Sequence, residues 1–132
     1  MTTLPIELVL LGWSVVLLTI AILLQGRFAT KERGTKWNAG PRDGDNAPIG
    51  VMAGRAQRAL DNFKESYPAF VALALALAAS GRTGGLGATG AMLWFAARIV
   101  YHPLYLFGVP YVRSLAWLAS MLGLLLMLIR LL

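Results

Sequence analysis

The stretch PIELVLLGWSVVLLTIAILLQG, residues 5–26, decides the class of fold. It carries one charged residue, Glu7, near its start, and then runs almost entirely apolar. An α-helix needs roughly 20 predominantly apolar residues to cross the hydrocarbon core of a bilayer, and this stretch supplies them. A secretory signal would combine a basic head, a shorter apolar run and a small-residue cleavage site. The head MTTLPIE has no Lys or Arg, and no such site follows. The stretch reads as a retained transmembrane helix.

Working outward, three further apolar stretches follow, at about 55–79, 88–107 and 111–132. The second opens with a polar turn, RAQRALDNFKESYPAF, before ALALALAA. SGRTGGLG joins the second to the third and GVP joins the third to the fourth. Short connections make neighbouring helices antiparallel. The expectation is an all-α integral membrane four-helix bundle, residues 1–132 forming a single domain. Its one sizeable polar segment is a loop at about 27–54. That loop holds Arg27, Lys31, Arg33, Lys36 and Arg42, whereas the second loop has only Arg82. The positive-inside rule then puts the first and third loops in the cytoplasm and both termini on the other side.

The composition agrees. The 132-residue chain is 58% hydrophobic and 14% charged, against about 45–50% and about 25% in a typical soluble domain. This excludes a disordered tail, a secreted miniprotein and most soluble enzymes. The absence of Cys excludes a disulfide framework, a thiolate metal site and a cysteine nucleophile. A single His argues against a His-rich metal site or a serine–histidine relay, so no metal is expected. A net charge of +6 would suggest nucleic acid in a soluble protein. Here the cytoplasmic face and the interior of a membrane protein account for it, and no nucleic-acid partner is expected. SGRTGGLGATG lacks the GKS/T ending and the preceding strand of a phosphate-binding loop, and reads as a turn with small-residue helix packing.

Residues that are expensive to keep in a membrane point to function. On the second stretch, Arg58, Asn62 and Glu65 are spaced four and three apart and share one helix face, with Arg55 a turn earlier. On the third, Arg98, Tyr101 and Tyr105 also share a face. A central Arg in a membrane helix costs roughly 2.5–3.5 kcal/mol on the mildest insertion scales. Arg98 therefore calls for an anionic partner, and Glu65 is the nearest candidate. Arg113 opens the fourth stretch. Glu65 and Asp61 cannot neutralise four guanidinium groups, and the surplus suits a ligand with carboxylates, which guanidinium forks match bidentately. Two readings stand on these stripes alone: an anion-binding site, or a buried network that fixes helix packing together with lipid phosphates. Pro68 reads as a tolerated kink. His102-Pro103 is expected to disturb the third helix locally, and Trp37, Trp94, Tyr111 and Trp117 read as interface anchors or packing residues.

The pattern Arg58-x-x-x-Asn62-x-x-Glu65-x-x-Pro68-x-Phe70 resembles the signature of the MAPEG family, the membrane-associated proteins in eicosanoid and glutathione metabolism. The block Arg98-x-x-Tyr101-x-x-x-Tyr105, followed by Arg113-Ser114, resembles that family's third helix and the start of its fourth. Together they span about 55–117. The resemblance implies a homotrimer of four-helix subunits that binds glutathione, as co-substrate, between neighbours near the cytoplasmic side. Its small compact form resembles bacterial members, which implies the inner membrane. By motif, Arg55, Arg58, Asn62, Glu65, Arg98, Tyr101 and Tyr105 would hold glutathione. Arg113 would stabilise its thiolate, with Ser114 beside it and Tyr101 or Tyr105 able to donate to substrate. The implied activity is a transferase or peroxidase acting on a lipophilic small molecule delivered through the membrane lipids. A non-enzymatic member that binds lipid or a partner protein is the alternative. Gly54, where family members often carry an acid, the long first loop and His102-Pro103 depart from the pattern.

Overall fold

A computed structural model describes residues 3–132; Met1 and Thr2, the start of the expected domain, lie outside the described residues. The described chain is all-helical: α1 (Ile6–Arg33), α2 (Thr35–Ala39), α3 (Val51–Ala79), α4 (Gly85–Leu106) and α5 (Val112–Leu131). The first helix does not end with its apolar run. It continues through Gly26 to Arg33, because Phe28-Ala29-Thr30-Lys31-Glu32 contains no helix breaker and includes the good helix formers Ala, Lys and Glu. It stops at Gly34, whose φ of +93° suits glycine. The expected loop at 27–54 is therefore partly helical: it contains the end of α1, all of α2 and the first turn of α3.

Two helices, α1 and α5, are long and apolar enough to cross a membrane by length and composition. Only 17% of each apolar window is buried, so these are not core helices of a water-soluble fold. Trp13, Val16, Ile20 and Leu23 on α1, and Leu115, Leu118, Leu122 and Ile129 on α5, point outward. Apolar surface this extensive is not left facing water. Helices α3 and α4 carry the charged and polar stripes and form the middle of the structure.

The core joins Phe63, Phe70, Ala74 and Leu77 of α3 to Ala91 and Trp94 of α4 and Met127 of α5. Trp94 is fully buried and stacks on Phe70 with ring centroids 3.9 Å apart and planes 8° from parallel. It is a packing residue, not an interface anchor. On α1 the buried residues Glu7, Ser14 and Ala21 recur every two turns and form one seam. Within it Ser14 Oγ and Tyr67 OH share a 2.8 Å hydrogen bond, which ties α1 to α3. Helices α4 and α5 approach closely at Gly90 and Gly123: a Cβ on Gly123 would lie 2.6 Å from the Gly90 carbonyl oxygen. Pro68 and Pro103 both sit inside helices that continue past them, and both rings are exposed. His102-Pro103 does not end α4, which runs on to Leu106.

Candidate functional site

The antiparallel order of the long helices brings the start of α3, the end of α4 and the start of α5 to one end of the molecule. Tyr105 is the hub there. Arg58 Nε donates to the Tyr105 hydroxyl at 3.1 Å, and the Arg113 guanidinium lies 4.6 Å from the centre of the same ring. Tyr101 is 4% exposed and packs against Tyr105 with centroids 5.7 Å apart. An open cavity of about 290 Å³ lies here, lined by Asn62, Tyr101, Tyr105, Arg113, Ser114 and Trp117. Residues read from two separate sequence blocks, on three helices, thus share one hollow.

Arg98 plays a different part from the one expected. It is 1% exposed and does not line the cavity. Its Nη1 donates to Asn62 Oδ1 at 2.7 Å and its Nη2 to Ser66 Oγ at 2.9 Å. The guanidinium lies 5.1 Å from the Tyr101 ring centre, and Nε has no partner. Glu65, expected to meet Arg98, is exposed and makes none of these hydrogen bonds. The reason is helical geometry. Asn62 and Ser66, one turn apart, face α4, while Glu65 is rotated about 100° away from Ser66 on the same helix. Arg98 is a strut that holds α4 to α3 beneath Tyr101.

Arg55 is also held internally, its Nη1 donating to the Leu106 carbonyl at 3.3 Å. With Arg58 it edges a second hollow, of about 420 Å³, at the start of α3. Two glycines make room for these arginines. A Cβ on Gly54 would come within 3.0 Å of Arg58 Nη1, and one on Gly108 within 2.6 Å of Arg55 Nη2. Among the described residues, none of Arg55, Arg58, Arg98 and Arg113 hydrogen-bonds a carboxylate, and Arg113 has no hydrogen-bond partner. The end is electropositive and open.

Ser66 is not singled out by the sequence reading, and Trp117, read there as an interface anchor or packing residue, lines the cavity. Ser66 follows Asn62 by one turn, a spacing that could have marked it as a second donor or acceptor for Arg98. Trp117 follows Arg113 by one turn in the same way. His102 is buried with its Nε2 unpartnered, and nothing in the geometry makes it a ligand.

An all-helical protein with two lipid-facing apolar helices and an arginine–tyrosine cavity at one end belongs to the integral membrane class. The profile of the MAPEG family matches residues 10–132, and the chain belongs to that family. Comparison with curated proteins finds no match, and comparison with solved structures finds none either. Membership is consistent with a glutathione-related function at a membrane.

Proposed function

We propose that the protein is a membrane-bound, glutathione-dependent transferase or peroxidase acting on lipophilic electrophiles. The observation that carries this reading is the convergence of Arg58, Arg113, Tyr101 and Tyr105 on one end of the molecule with no carboxylate bonded to either arginine. Glutathione brings two carboxylates, an ammonium and a thiol. Arg55 and Arg58 grip carboxylate, Asn62 fixes a polar end, and exposed Glu65 is free to take the ammonium. Arg98 acts by holding Asn62 and Tyr101 in position.

A free thiol titrates near about 8.5, and an adjacent cation lowers that value. Arg113, which lacks a hydrogen-bond partner among the described residues, is the group suited to stabilise the thiolate, with Ser114 beside it. The thiol proton goes to solvent. The sulfur then forms a bond to the electrophilic carbon, and the leaving group departs with its electron pair. With a hydroperoxide, the sulfur takes one oxygen and releases an alcohol, and a second glutathione reduces the sulfenic acid to disulfide and water. In this reading Tyr101 or Tyr105 donates a hydrogen bond to the developing charge on substrate. The substrate arrives laterally from the bilayer and is oriented against the bound thiolate.

In this reading α3 and α4 also cross the membrane, so that the four long helices form a transmembrane bundle. The subunits assemble as a homotrimer, the termini face away from the cytoplasm, and the membrane is a bacterial inner membrane. A glutathione titration of the detergent-solubilised protein, followed by thiolate absorbance, tests the proposal. Saturable appearance of thiolate is expected, and no binding at millimolar glutathione would sink it. Internal hydrogen bonding of Arg55 and Arg98 favours a second reading, a non-enzymatic protein of the same fold. That reading predicts no change in thiol titration on binding.

A further inference from the structure

Helix α1 leaves its apolar run at Gln25, yet continues as a helix to Arg33. On its outer face Leu23, Gly26, Arg27, Thr30 and Lys31 follow one another at helical spacing. The turn at Gly34 swings α2 aside, and Thr35 and Asn38 form the far wall of a groove of about 760 Å³. Ile22 and Leu23 make one end of the groove apolar, and Arg27 and Lys31 make the other end cationic. No acidic residue lines it. Neither cation takes part in a hydrogen bond to another described side chain or carbonyl, unlike Arg33 and Arg42 nearby, which bond to Ala47 and Asn38. The space above Gly26 is open, since a Cβ there would meet nothing within 4 Å.

We propose that this groove, at the outer face of the α1–α2 corner, binds an anionic glycerophospholipid. Its division into apolar and cationic halves matches an amphiphile with a negative head. Along α1 the exposed large apolar side chains end at Leu23, so the groove lies where the lipid-suited surface of that helix gives way to its cationic end, the level at which headgroups replace hydrocarbon. The phosphate sits between Arg27 and Lys31 with hydroxyls from Thr30 and Thr35 and the Asn38 amide in reach. An acyl chain runs along Ile22 and Leu23 over Gly26. The site shares no residue with the arginine–tyrosine cavity and stands whatever that cavity binds.

The test is native mass spectrometry of the full chain in detergent. Phosphatidylglycerol is titrated against phosphatidylcholine with the same acyl chains. Each Lys or Arg near an anionic headgroup contributes about fivefold, so the two together give an expected preference for phosphatidylglycerol of about 25-fold. Arg27→Gln with Lys31→Gln should abolish the preference, and Gly26→Leu should lower retention with both charges intact. Equal retention of the two lipids by the natural chain overturns the proposal, and that measurement holds even if a variant fails to fold. Displacement of phosphatidylglycerol by inorganic phosphate overturns it in favour of a soluble anion. A change in oligomer mass, rather than in bound lipid, overturns it in favour of a second copy covering the groove.

Discussion

The two ends of the helices solve the problem of polar groups in opposite ways. At the end where α1 starts and α5 finishes, the carboxylate of Glu7 is fully buried and accepts the backbone N–H of Gly84 at 2.9 Å, closing the N-terminus of α4. Arg130 of α5 reaches the same corner, donating to the Arg82 carbonyl at 2.9 Å. Acid, helix end and arginine are gathered there, and the corner is closed by the chain itself. At the other end, Arg58 and Arg113 meet only a phenol, by hydroxyl and by ring face, and a cavity remains. A protein that needed arginines only to pack helices could have supplied carboxylates at both ends. On the proposed function, this contrast is the difference between an end closed by the chain and an end that takes a ligand.

The largest effect that would sharpen this contrast is expected from Arg113→Ala. Loss of a group that stabilises developing or bound negative charge costs about a hundredfold in kcat/KM. Glutathione affinity should change much less, and equal losses in binding and turnover would deny Arg113 its assigned part. Asn62→Ala comes next. It removes a neutral partner from the buried charge of Arg98, and hydrogen bonds to charged groups are worth about 1.5–3 kcal/mol. Chemical denaturation in detergent should show that loss, together with weaker glutathione binding as Tyr101 loosens.

Glu7→Ala tests the opposite end. Leaving the part-buried Gly84 N–H without its acceptor costs about 1 kcal/mol of stability, while glutathione titration should be unaffected. A change in glutathione affinity would break the separation of the two ends. Tyr105→Phe is expected to have a comparably small effect. It removes the acceptor for Arg58 Nε but leaves the ring beneath Arg113, so affinity should fall about fivefold, the equivalent of about 1 kcal/mol. An unchanged titration would mean that the Arg58–Tyr105 bond is lost when glutathione binds.

The apolar run at 5–26 and the paired stripes of Arg, Asn and Tyr were legible because each is a local property. Hydropathy depends on composition over one helix, and spacing of three and four fixes which residues share a face. This was enough for an all-helical membrane protein and for a family resemblance that the profile match over 10–132 now establishes. Tertiary structure decided which face meets which. It gave Arg98 to Asn62 and Ser66 instead of Glu65, buried Trp94 against Phe70, and carried α1 past its apolar run to Gly34. Partner choice depends on the rotation of one helix against another and on the room left by residues such as Gly54 and Gly108, and these are set only when all four long helices pack at once.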